Sequence, residues 1–129
     1  MTELNGYRIK IKIDLTPGIW VFDSEQSTGK TYLCKQLKEL ETLGEPVGGF
    51  TYEDIRLGQS LVEFLKNPKY DVVMLDRYDM YPNTAHKEIR EASESKVVLI
   101  DCKQGFTGSA NDNICYINLT SDCIEVFAY

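Results

Sequence analysis

Residues 19–33 read I-W-V-F-D-S-E-Q-S-T-G-K-T-Y-L, passing from an apolar run through a polar loop into helical spacing. The bulky run 19–23 has strand character. Leu33, Leu37 and Leu40 fall at i, i+4 and i+7, one face of a helix over about 30–43, and Gly44-Glu45-Pro46 stops it. The loop between ends where the helix begins. A helix's first turn leaves amide N–H groups without intrahelical acceptors, and its dipole favours an anion there. Gly29 lets backbone approach a phosphate closely, Lys30 reaches its oxygens, and the Thr31 hydroxyl can ligate Mg²⁺. The candidate phosphate-binding residues are therefore Ser24, Glu25, Gln26, Ser27, Thr28, Gly29, Lys30 and Thr31. Ser24 and Ser27 occupy positions where glycine often permits positive φ, although a serine hydroxyl can still donate to phosphate.

Working outward, residues 7–14 alternate as a strand, and Thr16-Pro17-Gly18 turns the chain into the strand at 19–23. These two strands form an expected N-terminal hairpin. Residues 47–52 read as a short strand, and 54–66 as a helix turning Ile55, Leu61, Val62 and Leu65 inward. Thr51 and Asp54 have capping-box spacing. V-V-M-L-D at 72–76 and K-V-V-L-I-D at 96–101 are near-continuous apolar strands, the kind found in a parallel sheet covered on both faces. A helix is expected at 84–93, and a C-terminal hairpin at 114–119 and 123–129. Alternating strands and helices predict one α/β domain over 1–129, in three layers around a mainly parallel central sheet.

Asp76 ends a buried strand, where a carboxylate can hold Mg²⁺ through water, so Thr31 and Asp76 are the candidate metal residues. Arg77 follows it. A guanidinium cannot act as a base, but it can stabilise phosphate charge. Asp79 and Glu25 are the nearby acids available for catalysis, alongside Arg77.

The chain has 129 residues and a net charge of -6, with 43% hydrophobic and 26% charged residues, the composition of a soluble globular protein. The acidic balance argues against nucleic acid as the main ligand. Arg8, Lys10 and Lys12 do make one face of the first strand basic, against Tyr7, Ile9, Ile11 and Ile13. No apolar run is long enough to span a bilayer, and residues 1–5 lack the features of a secretion signal. Cys34, Cys102, Cys115 and Cys123 show no CxxC spacing and fit reduced thiols in a cytoplasmic protein. The lone His86 reads as a surface residue.

The loop at 24–31 matches G-x-x-x-x-G-K-[ST] apart from its first glycine, and with the order of elements it resembles a P-loop NTPase of the additional-strand class. Residues 7–30, V-V-M-L-D-R-Y-D-M-Y-P and K-V-V-L-I-D are similar to a shrunken ABC/RecF-like ATPase. The loop itself resembles the E-Q-G-T-G-K loops of some phage and plasmid helicases. This resemblance implies ATP or GTP with Mg²⁺ at the loop. It also implies weak turnover, because Arg77 stands where such ATPases commonly place a catalytic glutamate. No L-S-G-G-Q signature is present, and Cys102 and Lys103 replace an expected switch histidine. The function expected is a small nucleotide-binding domain, with weak or no hydrolysis, acting through a partner protein. The alternative is an inhibitor or adaptor that keeps the fold and no longer uses nucleotide. Asp76-Arg77-Tyr78 also resembles the D-R-Y run of thymidylate-kinase-like proteins, which gives a third reading as a nucleotide kinase.

Overall fold

The computed structural model describes residues 2–6, 8–23, 29–103, 106 and 113–129. Along them run β1 (Thr2–Gly6), β2 (Ile9–Asp14), β3 (Gly18–Phe22), α1 (Lys30–Thr42), β4 (Val47–Phe50), α2 (Tyr52–Arg56) and α3 (Leu61–Lys66). Then follow β5 (Val72–Leu75), a 3-10 turn (Tyr78–Met80), α4 (His86–Ala92), β6 (Val97–Ile100), β7 (Ile114–Leu119) and β8 (Cys123–Phe127). The strands form one sheet in the order β1-β2-β8-β7-β3-β6-β5-β4. The fold is mixed α/β.

The sheet has two regimes, set by side-chain pattern. Strands β3, β6, β5 and β4 are mutually parallel, and β4, β5 and β6 are buried at every residue. Val72, Met74, Val97, Leu99 and Phe22 pack on Leu33, Leu37 and Leu40 of α1. On the opposite face, Val73, Leu75, Val98, Ile100 and Val21 pack on Leu65 of α3 and on Ile89 and Ala92 of α4. In the other regime, β1, β2, β8 and β7 alternate. Ile9, Ile11, Ile13, Ile117, Ile124 and Val126 join the α1 side, whereas Lys10, Asn118 and Glu125 are exposed. This half curls over α1, so that Gly6 at the end of β1 lies beside Gln36. The antiparallel pairs are β1 with β2 and β7 with β8; β2 runs parallel to β8, and β7 parallel to β3.

Several expectations are corrected. The N-terminal hairpin is β1 with β2, not residues 7–14 with 19–23, because β8 and β7 lie between β2 and β3. The cause is burial: one-sided β2 belongs where only one face is covered, whereas β3 contributes to both apolar clusters. Residues 54–66 are not one helix. Gly58 adopts φ +87, and the Ser60 hydroxyl accepts from Glu63 N–H to start α3 afresh. The C-terminal hairpin forms as expected, as does the Thr51–Asp54 capping box. His86 is half-buried rather than a surface residue. Its ring stacks on Phe106 at 4.3 Å, and its Nδ1 lies 2.9 Å from the Tyr78 hydroxyl.

Candidate phosphate and metal site

The ends of β3, β5 and β6 meet the start of α1, and this meeting builds the candidate site. Gly29 is the N-cap of α1 with φ 95 and ψ -13, a left-handed conformation in which side chains are strained. A Cβ there would also come within 3.4 Å of Ile117 Cδ1. No side chain caps α1, and its first turn carries no acidic residue. Its leading amides therefore lack a protein carboxylate of their own turn as partner.

Lys30 is 8% exposed, although it is the first residue of its helix. Its Nζ donates to the Asp23 carbonyl at 3.0 Å and lies 3.6 Å from Asp101 Oδ1. A buried ammonium requires such partners. Thr31, one residue on, is exposed, and its hydroxyl interacts with the Asp76 carboxyl.

Asp76 is 6% exposed, and its Oδ1 has no hydrogen-bond partner. Burial pushes its carboxyl above the ordinary value of 3.8, and the neighbouring Asp101 pushes it further, by charge and by hydrogen bonding. Arg77 and the Thr31 hydroxyl pull the other way. The backbone holds these groups firmly. Asp76 N–H donates to Phe50 O at 2.9 Å, Asp101 N–H to Leu75 O at 3.0 Å, and Tyr78 N–H to Asp101 O at 2.8 Å.

Arg77 is exposed in a left-handed conformation, φ 53 and ψ 50, close enough for its charge to act on Asp76. Asp79 is exposed on the 3-10 turn, and no described contact ties it to Lys30, Thr31 or Asp76. Ser24, Glu25, Gln26, Ser27 and Thr28 lie outside the described residues. Lys30, Thr31 and Asp76 thus come together, Arg77 borders them, and Asp79 stands apart.

Asp101 is the residue that the sequence reading passed over. In the sequence it marks only the end of a strand. In the sheet, Leu75 is register partner of Ile100, so the next residues of the two strands, Asp76 and Asp101, emerge side by side. The signal was the shared terminal aspartate of V-V-M-L-D and K-V-V-L-I-D; the missing fact was that those strands are neighbours.

Among the described residues, no group of three or more His, Cys, Asp and Glu could hold a metal ion. Magnesium commonly binds through one or two carboxylates, completed by water and phosphate oxygens. Asp76, with an unpartnered buried oxygen, and the Thr31 hydroxyl fit that mode.

Against protein-family models, curated proteins and solved structures, the chain has no match. What it does rests on its own geometry.

Proposed function

We propose that this chain is a small P-loop-type domain that binds ATP or GTP with Mg²⁺, turns it over slowly or not at all, and acts through a partner protein. One observation carries the reading: the buried Asp76 carboxyl, with one oxygen unpartnered, touches the Thr31 hydroxyl in the first turn of an uncapped helix that also bears Lys30. The strand order supports it as well. β6 lies between the loop strand β3 and the acid strand β5, as an additional-strand arrangement requires.

In this reading, the α1 amides and Lys30 take the phosphate oxygens, and Thr31 and Asp76 orient the metal. When bound, Mg²⁺ neutralises phosphate charge. Arg77 approaches the same charge but cannot accept a proton from water. Lys30 holds Asp101, the acid beside Asp76, in an ion pair. Neither group is arranged as a free base, which accounts for weak turnover.

Calorimetry and thermal shift with Mg·ATP and Mg·GTP test this proposal on wild type, Lys30→Ala and Thr31→Ala. Ligand at 100 times its dissociation constant stabilises the native state by about 2.7 kcal/mol. The expected result is such a shift in wild type, absent in Lys30→Ala and less dependent on Mg²⁺ in Thr31→Ala. No shift at millimolar nucleotide overturns nucleotide binding.

That outcome would favour the second reading, an inhibitor or adaptor that no longer uses nucleotide. The observation on its side is that the Lys30 ammonium is already held by the Asp23 carbonyl and Asp101.

A further inference from the structure

A cavity of about 380 Å³ opens beside β4, at the edge of the sheet. Its lining is mainly polar, with one aromatic side: half-buried Phe64 borders the space, and Phe50 and Tyr70, 2% and 5% exposed, stand behind it with ring centroids 5.2 and 5.0 Å from its own. Its backbone edge is Gly49. Asp76 N–H bonds Phe50 O and Asp71 N–H bonds Pro46 O, so residues 46, 48 and 50 turn toward β5. By alternation, the N–H and C=O of Gly49 point the other way, away from the ladder. Gly49 has no side chain there because a Cβ would lie 2.8 Å from the Cys34 carbonyl and Sγ.

The polar lining is rich in acceptors. Its lysine, Lys38, is bound to Asp54 Oδ2 at 2.5 Å. The same Asp54 oxygen also accepts from Thr51 N–H at 2.9 Å, so this pair is closed within the fold. Glu41 accepts from the Tyr70 hydroxyl at 2.6 Å and meets Lys69 at 3.5 Å. Glu63, exposed on α3 and lining the same cavity, makes no ion pair among the described residues. The wall already accepts a cation from within the chain, since Lys69 Nζ lies 5.7 Å from the Tyr70 ring centroid.

We propose that this cavity is a cation-binding site for a guanidinium or primary ammonium on a short aliphatic stem. The head pairs with Glu63, the stem lies on the Phe64 ring, and the Gly49 carbonyl accepts a further N–H. Such a group comes either from a free basic metabolite or from a lysine or arginine in an extended segment of a partner. The site does not depend on nucleotide.

The test titrates the whole chain with agmatine, with the blocked tripeptide acetyl-Ala-Arg-Ala-amide, and with its neutral citrulline counterpart, followed by calorimetry and amide NMR. Agmatine and the arginine tripeptide are expected to bind saturably and to shift the amides of Gly49, Glu63, Phe64 and Tyr70. The citrulline peptide should bind about tenfold more weakly, as the loss of a charge-assisted contact implies. Glu63→Gln, at an exposed position, should weaken agmatine about tenfold with the melting temperature unchanged. Tighter binding of the tripeptide than of agmatine assigns the site to a partner segment; equal or weaker binding assigns it to a free amine. The proposal is overturned by equal affinity for the citrulline peptide, by an unchanged affinity in Glu63→Gln, or by no saturation up to about 10 mM.

Discussion

At Asp76 the fold keeps a carboxyl in an environment that disfavours its charge. Burial and the adjacent Asp101 raise its proton affinity above that of an unfolded aspartate. A carboxyl whose folded value is raised contributes stability that is complete below the unfolded value and is lost as pH rises through the folded one. Without divalent metal, melting temperature is therefore expected to fall from about pH 4 toward neutrality, relative to Asp76→Asn, which lacks this titration. Thermal denaturation of both proteins in chelator-treated buffer measures the difference, and equal slopes would remove Asp76 as its source. Gly29 makes a second claim at this scale. At φ +95, alanine costs about 1–2 kcal/mol for the left-handed backbone, so Gly29→Ala should lower stability by that amount in urea unfolding.

Among the elements, α1 ties the two halves of the sheet together. Leu33, Leu37 and Leu40 are at most 1% exposed, and their cluster includes residues of β2, β5, β6 and β8. Leu37→Ala should cost about 2–5 kcal/mol by equilibrium unfolding, the range for truncating a buried leucine. The short α2 depends instead on its cap. Thr51 accepts from Asp54 N–H at 3.3 Å, and the Asp54 carboxylate accepts from Thr51 N–H at 2.9 Å. Thr51→Ala should cost about 1 kcal/mol, measured the same way. These elements also mark what was legible in the sequence. The α1 face, the buried strands and the capping box depend on neighbours within a few residues, so the chain displays them directly. The partners of β2 and β3 do not, because an alternating strand followed by Thr16-Pro17-Gly18 suits a local hairpin as well as a crossover. Asp101 stayed hidden for the same reason: its importance lies in register with β5, which no local pattern encodes. Gly58 was visible, but it lay within an otherwise helical apolar spacing.

For the whole molecule, the two apolar clusters determine which groups meet solvent. Cys34, Cys102 and Cys115 are buried, and burial pushes the Cys34 and Cys115 thiols up to about 12. Cys123 is only partly covered. At neutral pH, a thiol reagent should label Cys123 in the native protein and the other three only at the rate of opening, as mass spectrometry of timed samples would record. Rapid native labelling of Cys115 would contradict the packing of β7 against α1. Among the described residues no helix is long and apolar enough to cross a membrane.

The parallel pairing of β2 with β8 has a consequence for synthesis. Lys10 is matched with Cys123, so β2 waits for a strand made more than 100 residues later. At about 5–20 residues per second, the intervening stretch of roughly 110 residues takes about 6–22 s to emerge from a ribosome. During that interval Ile9, Ile11 and Ile13 have no β8 to cover them, and the half-sheet that curls over α1 cannot close. Non-local pairing of this kind slows folding. The nascent chain therefore carries an open apolar edge until β8 arrives, and chaperone demand should track how fast the stretch between β2 and β8 is translated.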